Sequence, residues 1–286
     1  MTLPTSPILT GDAHHAYRDP AAIFADGICH LFFTLVETEP DGGVYMYLAK
    51  SSSRDLTTWS APRKLTVRDQ AKNFSSPGNI VRHNGQYVIC FQTYCRENGE
   101  KYGNANSRLY IARSDDLETW SEPELLRVKG DIPDAEMGRM IDPYLLFDES
   151  TGLWNCFYKQ NGVSRSVSRD LLHWEYCGHT DGGENACVVE KDGRFYLFHS
   201  PQNGIGVKVS DDLSRWQNAC EVLTLGQSEW TWAKGRITAG FVLPMGEEYL
   251  MFFHGTGPED ESVIFDTHAC IGIAWSYDLV HWEWKQ

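Results

Sequence analysis

A seven-residue motif, Ser-x-Asp-Leu-x-x-Trp, recurs along this chain and limits the folds open to it. It occurs five times in 286 residues, beginning at Ser53, Ser114, Ser168, Ser210 and Ser276. An aspartate two residues after a serine favours a short polar turn, and the Leu and Trp supply apolar anchors for that turn. Repetition of this kind predicts an architecture of five similar units.

The segments around each motif have the pattern of β-strands. Two apolar runs joined by a Gly-containing turn precede each copy, as in AAIFADGICHLFFT and GFVLPMGEEYLMFFH, and indicate a β-hairpin. A third strand leads into the motif and a fourth follows it. Five four-stranded antiparallel units predict an all-β, five-bladed β-propeller that occupies residues 1–286 as a single catalytic domain. We expect the N-terminal TSPILTG to pack onto the last blade and help close the ring.

The long connections predict which end of the propeller carries function. Residues 94–107, 127–139, 225–235 and 255–267 are long and irregular, and the topology places them at the end where the innermost strands begin. Counting back from the hairpin glycines puts Asp19, Asp142 and Glu184 at those strand starts, with blades two and five represented near Ser76 and Ile237-Thr238. Because three carboxylates around one axis repel one another, their presence points to chemistry.

A pair of carboxyl groups across a cleft is the apparatus for hydrolysing a glycosidic bond. One carboxyl protonates the departing oxygen and the other activates water or attacks carbon, while a third can raise the pKa of the acid. Glu136 and Glu190 are the alternatives to Glu184 as the acid. We expect His254 to contact substrate, with a channel metal ligand or a structural histidine as its other interpretations. The further expected substrate contacts are Arg18, Phe74, Ser76, Arg139, Trp232 and Arg236.

At these residues the chain resembles the five-bladed glycoside hydrolases. The resemblance is carried by Arg-Asp-Pro at blade one, Ile-Asp-Pro with a following Phe-Asp at blade three, and a Glu opening blade four. Family 43 is the most similar, and families 32 and 117 share the architecture. The resemblance implies that Asp19 is the general base, that Asp142 tunes the pKa and orients the acid, and that Glu184 is the general acid. It also implies an inverting, exo-acting hydrolase of short arabinofuranoside- or xyloside-type oligosaccharides.

The sequence departs from that family in two places. The acid is followed by Asn185-Ala186 where family 43 commonly has Gly-Pro, and blade two has Ser75-Ser76-Pro77 in place of Trp-Ala-Pro. The Asn-Asp-Pro-Asn-Gly and Glu-Cys motifs of the invertase type are both missing. Two other interpretations remain open: a sugar-binding propeller without catalysis, and a propeller glycosidase or phosphorylase of different sugar specificity.

Composition limits the partners. The balance of 25 Lys+Arg against 39 Asp+Glu gives a net charge of −14, which disfavours nucleic acid and anionic membranes. No apolar run is long enough to span a bilayer. The start, MTLPTSPILTGDAHH, shows no export signal, and the eight cysteines form no C-x-x-C pair, so we expect a cytoplasmic protein with free thiols. The chemistry needs no cofactor and no catalytic metal, and a structural calcium on the axis is compatible with it.

Overall fold

The protein forms five antiparallel sheets arranged as the blades of a propeller. The computed structural model describes residues 4–258 and 264–285. Blade one contains β1 (His15–Ala25), β2 (Ile28–Thr38), β3 (Val44–Ser53) and β4 (Arg63–Lys64), and blade two contains β5 (Ser75–His83), β6 (Gln86–Gln92), β7 (Leu109–Ser114) and β8 (Glu124–Leu125). A short helix, α1 (Asp134–Met137), leads to blade three.

The remaining blades repeat this order. Blade three contains β9 (Ile141–Asp148), β10 (Leu153–Lys159), β11 (Val163–Ser168) and β12 (Trp174–Thr180), and blade four contains β13 (Glu184–Lys191), β14 (Arg194–Ser200), β15 (Gly206–Ser210) and β16 (Gln217–Asn218). Blade five contains β17 (Arg236–Met245), β18 (Glu248–Thr256) and β19 (Cys270–Ser276). The predicted all-β, five-bladed propeller is confirmed.

The first strand of each blade is the innermost. Strands β1, β5, β9, β13 and β17 contact one another in ring order, and β17 contacts β1. The first hairpin of every blade turns at a glycine with positive φ, a conformation that other residues adopt only at a cost. These glycines are Gly27, Gly85, Gly152, Gly193 and Gly246.

The N-terminal segment closes the ring, as expected. The Ile8 N–H donates to the carbonyl oxygen of Ile271 over 2.8 Å, and Leu9 forms an antiparallel bridge with the same residue. A second bridge joins Trp275 to Glu283. Segments from both ends of the chain therefore line the outer edge of β19, in the position that a fourth strand occupies in the other blades.

All five motifs form the predicted turns. In each copy the aspartate side chain accepts backbone N–H groups two and three residues ahead, as Asp116 does from Glu118 and Thr119 at 2.8 Å. The motif leucine takes a positive φ, and four of the five tryptophans pack edge-on against a phenylalanine in the second strand of the preceding blade. Blade three is the exception because the corresponding residue of blade two is Cys90. The motif is therefore the joint between neighbouring blades.

The cysteines and helices add two further facts. All eight cysteines are free; Cys177 is exposed, Cys220 is half-buried, and the others are buried. Within residues 4–258 and 264–285, no helix has the length and apolar character of a membrane span.

Candidate active site

A backbone irregularity marks the start of every innermost strand. The pairing of each first strand with its neighbour skips register once, and one residue at each skip has a positive φ between 46° and 55°. Such residues are strained unless their surroundings hold them, and they concentrate at functional sites. These five residues line a small cavity on the propeller axis and are called the axial residues below: Asp19, Ser76, Asp142, Asn185 and Ala239.

The axial set corrects the alignment made from the sequence. Counting from the turn glycines put Glu184 and Ile237-Thr238 on the axis, but the structure puts Asn185 and Ala239 there. The count fails because the distance from the axial residue to the turn glycine is not constant: it is eight residues from Asp19 to Gly27 and from Asn185 to Gly193, but seven from Ala239 to Gly246. Glu184 lies one residue earlier and lines the larger cavity above the axis.

Side chains from the second strands hold the axial residues in place. The N–H of an axial residue donates to the preceding blade at four joints: Ser76 to Thr34 Oγ1 (2.7 Å), Asp142 to Gln92 Oε1 (2.5 Å), Ala239 to Ser200 Oγ (2.8 Å) and Asp19 to His254 Nδ1 (3.1 Å). At the fifth joint the equivalent residue is Lys159, which cannot accept, and its Nζ donates to the carbonyl of Gly182.

Asp19 and Asp142 are linked through one amide. Asn185 Nδ2 donates to Asp19 Oδ1 over 3.2 Å and to Asp142 Oδ1 over 3.3 Å, while its Oδ1 accepts from Ser200 Oγ. The Thr34 hydroxyl also donates to Asp19 Oδ2 over 2.9 Å. The two carboxyl groups are therefore oriented by neutral donors.

Of the three carboxyl groups, that of Asp142 is the buried one. Its side chain is 5% exposed, and the Ser76 hydroxyl donates to it over 2.6 Å. Burial raises the pKa of Asp142 to about 7, helped by the charges of Glu184 and Asp19 and opposed by the hydrogen bonds from Ser76 and the Asn185 backbone. Asp142 therefore keeps its proton to a higher pH than an exposed aspartate does.

Glu184 is positioned by the backbone before it. Gly183 lies so close to Ser200 that a Cβ atom would fall 1.6 Å from the Ser200 carbonyl oxygen, so only glycine fits there. The Gly183 N–H donates to His199 Nδ1 over 3.0 Å. Burial, together with Lys208 and Lys159, lowers the pKa of His199 to about 4, so its ring stays neutral at neutral pH and can accept this bond.

The three carboxyl groups line one cavity of about 700 Å³. All five blades contribute to its wall, and a second cavity of about 20 Å³ lies on the axis, where Asp19, Asp142 and Asn185 line both spaces. Of the expected substrate contacts, four line this cavity: Arg18, Arg139, Arg236 and His254. The cavity therefore combines carboxyl groups with cationic and imidazole groups able to bind hydroxyls.

Three expected contacts lie elsewhere. Phe74 is 5% exposed and packs edge-on against Phe91 and Tyr110 in the core, because its side chain points away from the axis. Trp232 stacks on Trp230 and Phe253 behind blade five and does not line the cavity. Ser76 lies on the axis beneath the cavity and bonds Asp142 instead of facing a ligand.

The alternative acids are also outside the site. Glu136 is exposed on α1, and Glu190 is exposed near the hairpin turn at the other end of β13. Neither lines the cavity. Glu184 is thus the carboxyl group that blade four brings to Asp19 and Asp142.

Several residues of the site are not marked by the sequence motifs. Asn185 stands next to the expected acid, and Asn185-Ala186 occupies in blade four the place of the Asp-Pro steps of blades one and three. Thr34 and Gln92 carry no motif, and only strand register reveals their role. Tyr94, Tyr102 and Phe265 reach the cavity from long loops whose course the sequence does not specify.

No metal site accompanies these carboxyl groups in the described part of the chain. Among residues 4–258 and 264–285, no group of three or more His, Cys, Asp or Glu side chains is arranged to hold a metal ion. The amide of Asn185 stands between Asp19 and Asp142 and satisfies one oxygen of each.

Comparison with solved structures agrees with the five-bladed fold. The exo-1,5-α-L-arabinanase from a bovine ruminal metagenomic library superposes with a TM-score of 0.65 at 13% identity, covering 96% of each chain. The catalytic domain of the GH62 α-L-arabinofuranosidase of Coprinopsis cinerea gives a TM-score of 0.71 at 14% identity and 95% coverage of each. A thermostable family-43 glycoside hydrolase gives 0.67 at 14% identity, covering 99% of this chain and 96% of that one.

The sequence match to a family model is more specific than these shared folds. No curated protein sequence matches the chain significantly. The model of the glycosyl hydrolases family 32 N-terminal domain matches residues 15–219, which include the three carboxyl groups and most of the cavity wall. The predicted resemblance to the propeller glycosidases of families 43 and 32 is confirmed. The chain belongs to the glycosyl hydrolase family whose N-terminal domain this model describes, and it is a glycosidase.

Proposed function

We propose that this glycosidase is inverting and exo-acting, and that it hydrolyses short oligosaccharides of the arabinofuranoside or xyloside type. The observation that carries the proposal is the meeting of Asp19, Asp142 and Glu184, from three blades, in one cavity of about 700 Å³. Residues from all five blades surround this cavity, and such a site suits a terminal sugar.

The proposed mechanism is a single displacement. Glu184 donates its proton to the glycosidic oxygen as the bond to the anomeric carbon breaks. Asp19 accepts a proton from a water molecule that attacks the opposite face of that carbon, so a hemiacetal and a free alcohol are released and no covalent intermediate forms. Proton exchange with solvent then restores both carboxyl groups. The reaction needs water and two carboxyl groups, and no cofactor.

The surroundings of Asp19 suit a base. Thr34 and the Asn185 amide donate to its two oxygens, which fixes the carboxylate plane, and its backbone N–H is held by His254. A group oriented in this way is placed before the substrate arrives, which is how enzymes avoid reorganisation in the transition state.

Asp142 supports the acid without acting on the substrate bond. Burial raises the pKa of Asp142, and the charges of Glu184 and Asp19 raise it further, so Asp142 reduces the negative charge that the site carries beside the acid. Asp142 also accepts from Asn185, the residue next to the acid. In this proposal Asp142 is a positioning and charge-tuning residue.

The sugar class is supported by the two arabinan-type enzymes that share the fold. One is named an exo-1,5-α-L-arabinanase and the other an α-L-arabinofuranosidase. Arg18, Arg139 and Arg236 supply donors for hydroxyl groups, and the half-exposed Tyr102 supplies a face for stacking.

A panel of nitrophenyl glycosides tests the proposal. We expect the wild type to release nitrophenol from α-L-arabinofuranoside or β-D-xyloside. Asp19→Asn should lower kcat by roughly 10²–10⁴-fold while sugar binding persists, and Glu184→Gln should lower it less, because nitrophenolate leaves with little help from an acid. Glu136→Gln, which changes an exposed glutamate outside the cavity, is the matched control and should retain activity. Sugar binding without any turnover would instead identify a non-catalytic carbohydrate-binding propeller, and dependence on phosphate would identify a phosphorylase.

The stereochemical part has its own measurement. Proton NMR of the first product formed should show the anomer opposite to that of the substrate, because water attacks directly. A product of the same configuration would assign Asp19 as a nucleophile and reject inversion, while leaving glycoside hydrolysis intact.

A further inference from the structure

Two long loops meet above blade one at the rim of the cavity. The connection between β2 and β3 is short, residues 39–43, whereas the corresponding connection of blade two spans 93–108, and that of blade five is described at 257–258 and 264–269. Tyr94 and Tyr102 of the blade-two loop and Phe265 of the blade-five loop all line the cavity. Loops from blades two and five therefore form the rim of the cavity above blade one, whose own connection is short.

A bidentate ion pair joins the two loops. Arg96 Nη1 donates to Asp266 Oδ1 over 2.7 Å, and Arg96 Nη2 donates to Asp266 Oδ2 over 3.0 Å. The third donor, Arg96 Nε, bonds the carbonyl of Glu100 within its own loop over 2.7 Å. Parallel bonds of this kind fix the geometry of both partners.

Aromatic contacts continue the junction into the cavity. The Phe265 ring stacks with Tyr94 at a centroid distance of 6.4 Å and meets Tyr102 edge-on at 5.1 Å. The Arg18 guanidinium of blade one lies 4.3 Å from the centre of the same ring and donates to the Phe265 carbonyl. Phe265 is thus held from blades one and two at once.

The burial of the ion pair separates it from ordinary rim contacts. The side chains of Arg96 and Asp266 are 8% and 19% exposed, whereas the nearby pair of Arg68 and Glu39 is 53% and 33% exposed. A buried, fully hydrogen-bonded pair resists opening far more than an exposed one, because either charge alone would be stranded in a poorly solvated place.

We infer that Arg96 and Asp266, with Phe265 beside them, form a clasp that walls the cavity on the side of blade one and restricts this enzyme to chain ends. The inference rests on the proposed exo-acting hydrolysis and assigns it to named residues. With the clasp closed, a polysaccharide cannot run across blade one, so one terminal residue enters the recess. With the clasp open, the recess becomes a groove and internal bonds gain access.

The test uses variants that remove one charge of the ion pair or exchange the two. Arg96→Ala and Asp266→Ala open the clasp, Arg96→Asp combined with Asp266→Arg re-forms it in reverse, and Arg68→Ala removes the exposed pair as the matched control. Each is assayed on the nitrophenyl glycoside that the wild type cleaves and on the corresponding linear polysaccharide cross-linked with dye, which dissolves only when internal bonds break. Hydrogen exchange of residues 93–108 reports independently whether the loops have separated.

The expected result is a change from cleavage at chain ends toward cleavage of internal bonds. The single variants should raise KM for the nitrophenyl glycoside by about tenfold with kcat within about threefold, because the wall that holds the sugar is lost while the carboxyl groups stay in place. Dye release should rise at least about tenfold relative to the wild type, and the exchanged pair should recover part of the wild-type ratio. Arg68→Ala should behave as the wild type.

Three outcomes would overturn the inference. The first is hydrogen exchange that shows separated loops while KM and the product lengths stay unchanged. Another is an equal loss of activity on both substrates, which would show a merely structural role. The third is dye release by the wild type itself, which rejects chain-end restriction but leaves a glycosidase. Failure of the proposed function is distinguishable, because the wild type would then cleave neither substrate before any variant is made, and the clasp would lose its assigned role with it.

Discussion

At the scale of single residues, burial of one carboxyl group sets the charge of the site. Asp142 has a pKa raised from 3.8 to about 7, chiefly by burial. Between those values the folded protein holds a proton that the unfolded chain releases. Folding therefore takes up a proton, and the contribution of this residue to stability falls as pH rises.

Asp142→Asn should remove that pH dependence. A neutral amide has no proton to lose, so the free energy of unfolding of the variant, relative to the wild type, should rise by up to about 1.4 kcal/mol for each pH unit between about pH 4 and pH 7. Urea unfolding of both proteins at several pH values measures this difference. A difference that stays constant over the whole range would mean that Asp142 is not a buried acid of raised pKa.

Some residues of the site could be located from the sequence, and others could not. Asp19 and Asp142 could be found because each precedes a proline at a strand start. Asn185 could not, because an axial residue is defined by a bulge and a positive φ that Asp, Ser, Asn and Ala all adopt here. Phe74 lies just before β5 and next to Ser75, which lines the cavity, but its own ring packs against Phe91 and Tyr110 in the core, so proximity along the chain did not place it.

At the scale of elements, the repeated turn joins each blade to the one before it. Trp282 is 8% exposed, donates from Nε1 to the Leu279 carbonyl over 3.2 Å, and meets Phe198 of blade four edge-on at 6.0 Å. The motif thus links a local turn to packing between sheets. This turn could be predicted from the sequence, because the motif recurs five times and its Leu and Trp are apolar side chains that anchor it by packing.

Trp282→Ala should destabilise the protein without altering the chemistry. We expect the free energy of unfolding to fall by roughly 3–5 kcal/mol, because a large ring is lost from a packed joint. Chemical denaturation measures this loss, and kcat of the folded fraction should remain that of the wild type. Leu172→Ala, which changes an exposed side chain within another copy of the motif, should cost less than about 0.5 kcal/mol. Equal effects of the two changes would contradict the role of the joint.

At the scale of the whole molecule, the ring is closed by its N-terminal segment. The Ser6 hydroxyl donates to the Ile273 carbonyl over 3.1 Å and accepts from the Ile273 N–H over 3.0 Å. Ser6 is 6% exposed, so water cannot replace these bonds easily. One side chain thus ties the start of the chain to the last blade.

Ser6→Ala should therefore lower the stability of the entire propeller. Loss of the hydroxyl leaves a buried donor and acceptor of Ile273 unpaired, which should cost about 1–3 kcal/mol. Thermal unfolding with Thr5→Ala, an exposed neighbour, as the control measures this cost. An unchanged midpoint for Ser6→Ala would show that the N-terminal segment does not contribute to closure.

The assignment of Glu184 as the acid and Asp19 as the base is tested most directly by varying the leaving group. Aryl glycosides with leaving groups of decreasing pKa depend progressively less on an acid, but they still need the base. The account predicts that Glu184→Gln loses roughly 10²–10⁴-fold in kcat with a poor leaving group and regains most of it with dinitrophenolate, while Asp19→Asn stays equally impaired across the series. A loss for Glu184→Gln that is the same for every leaving group would contradict its assignment as the acid.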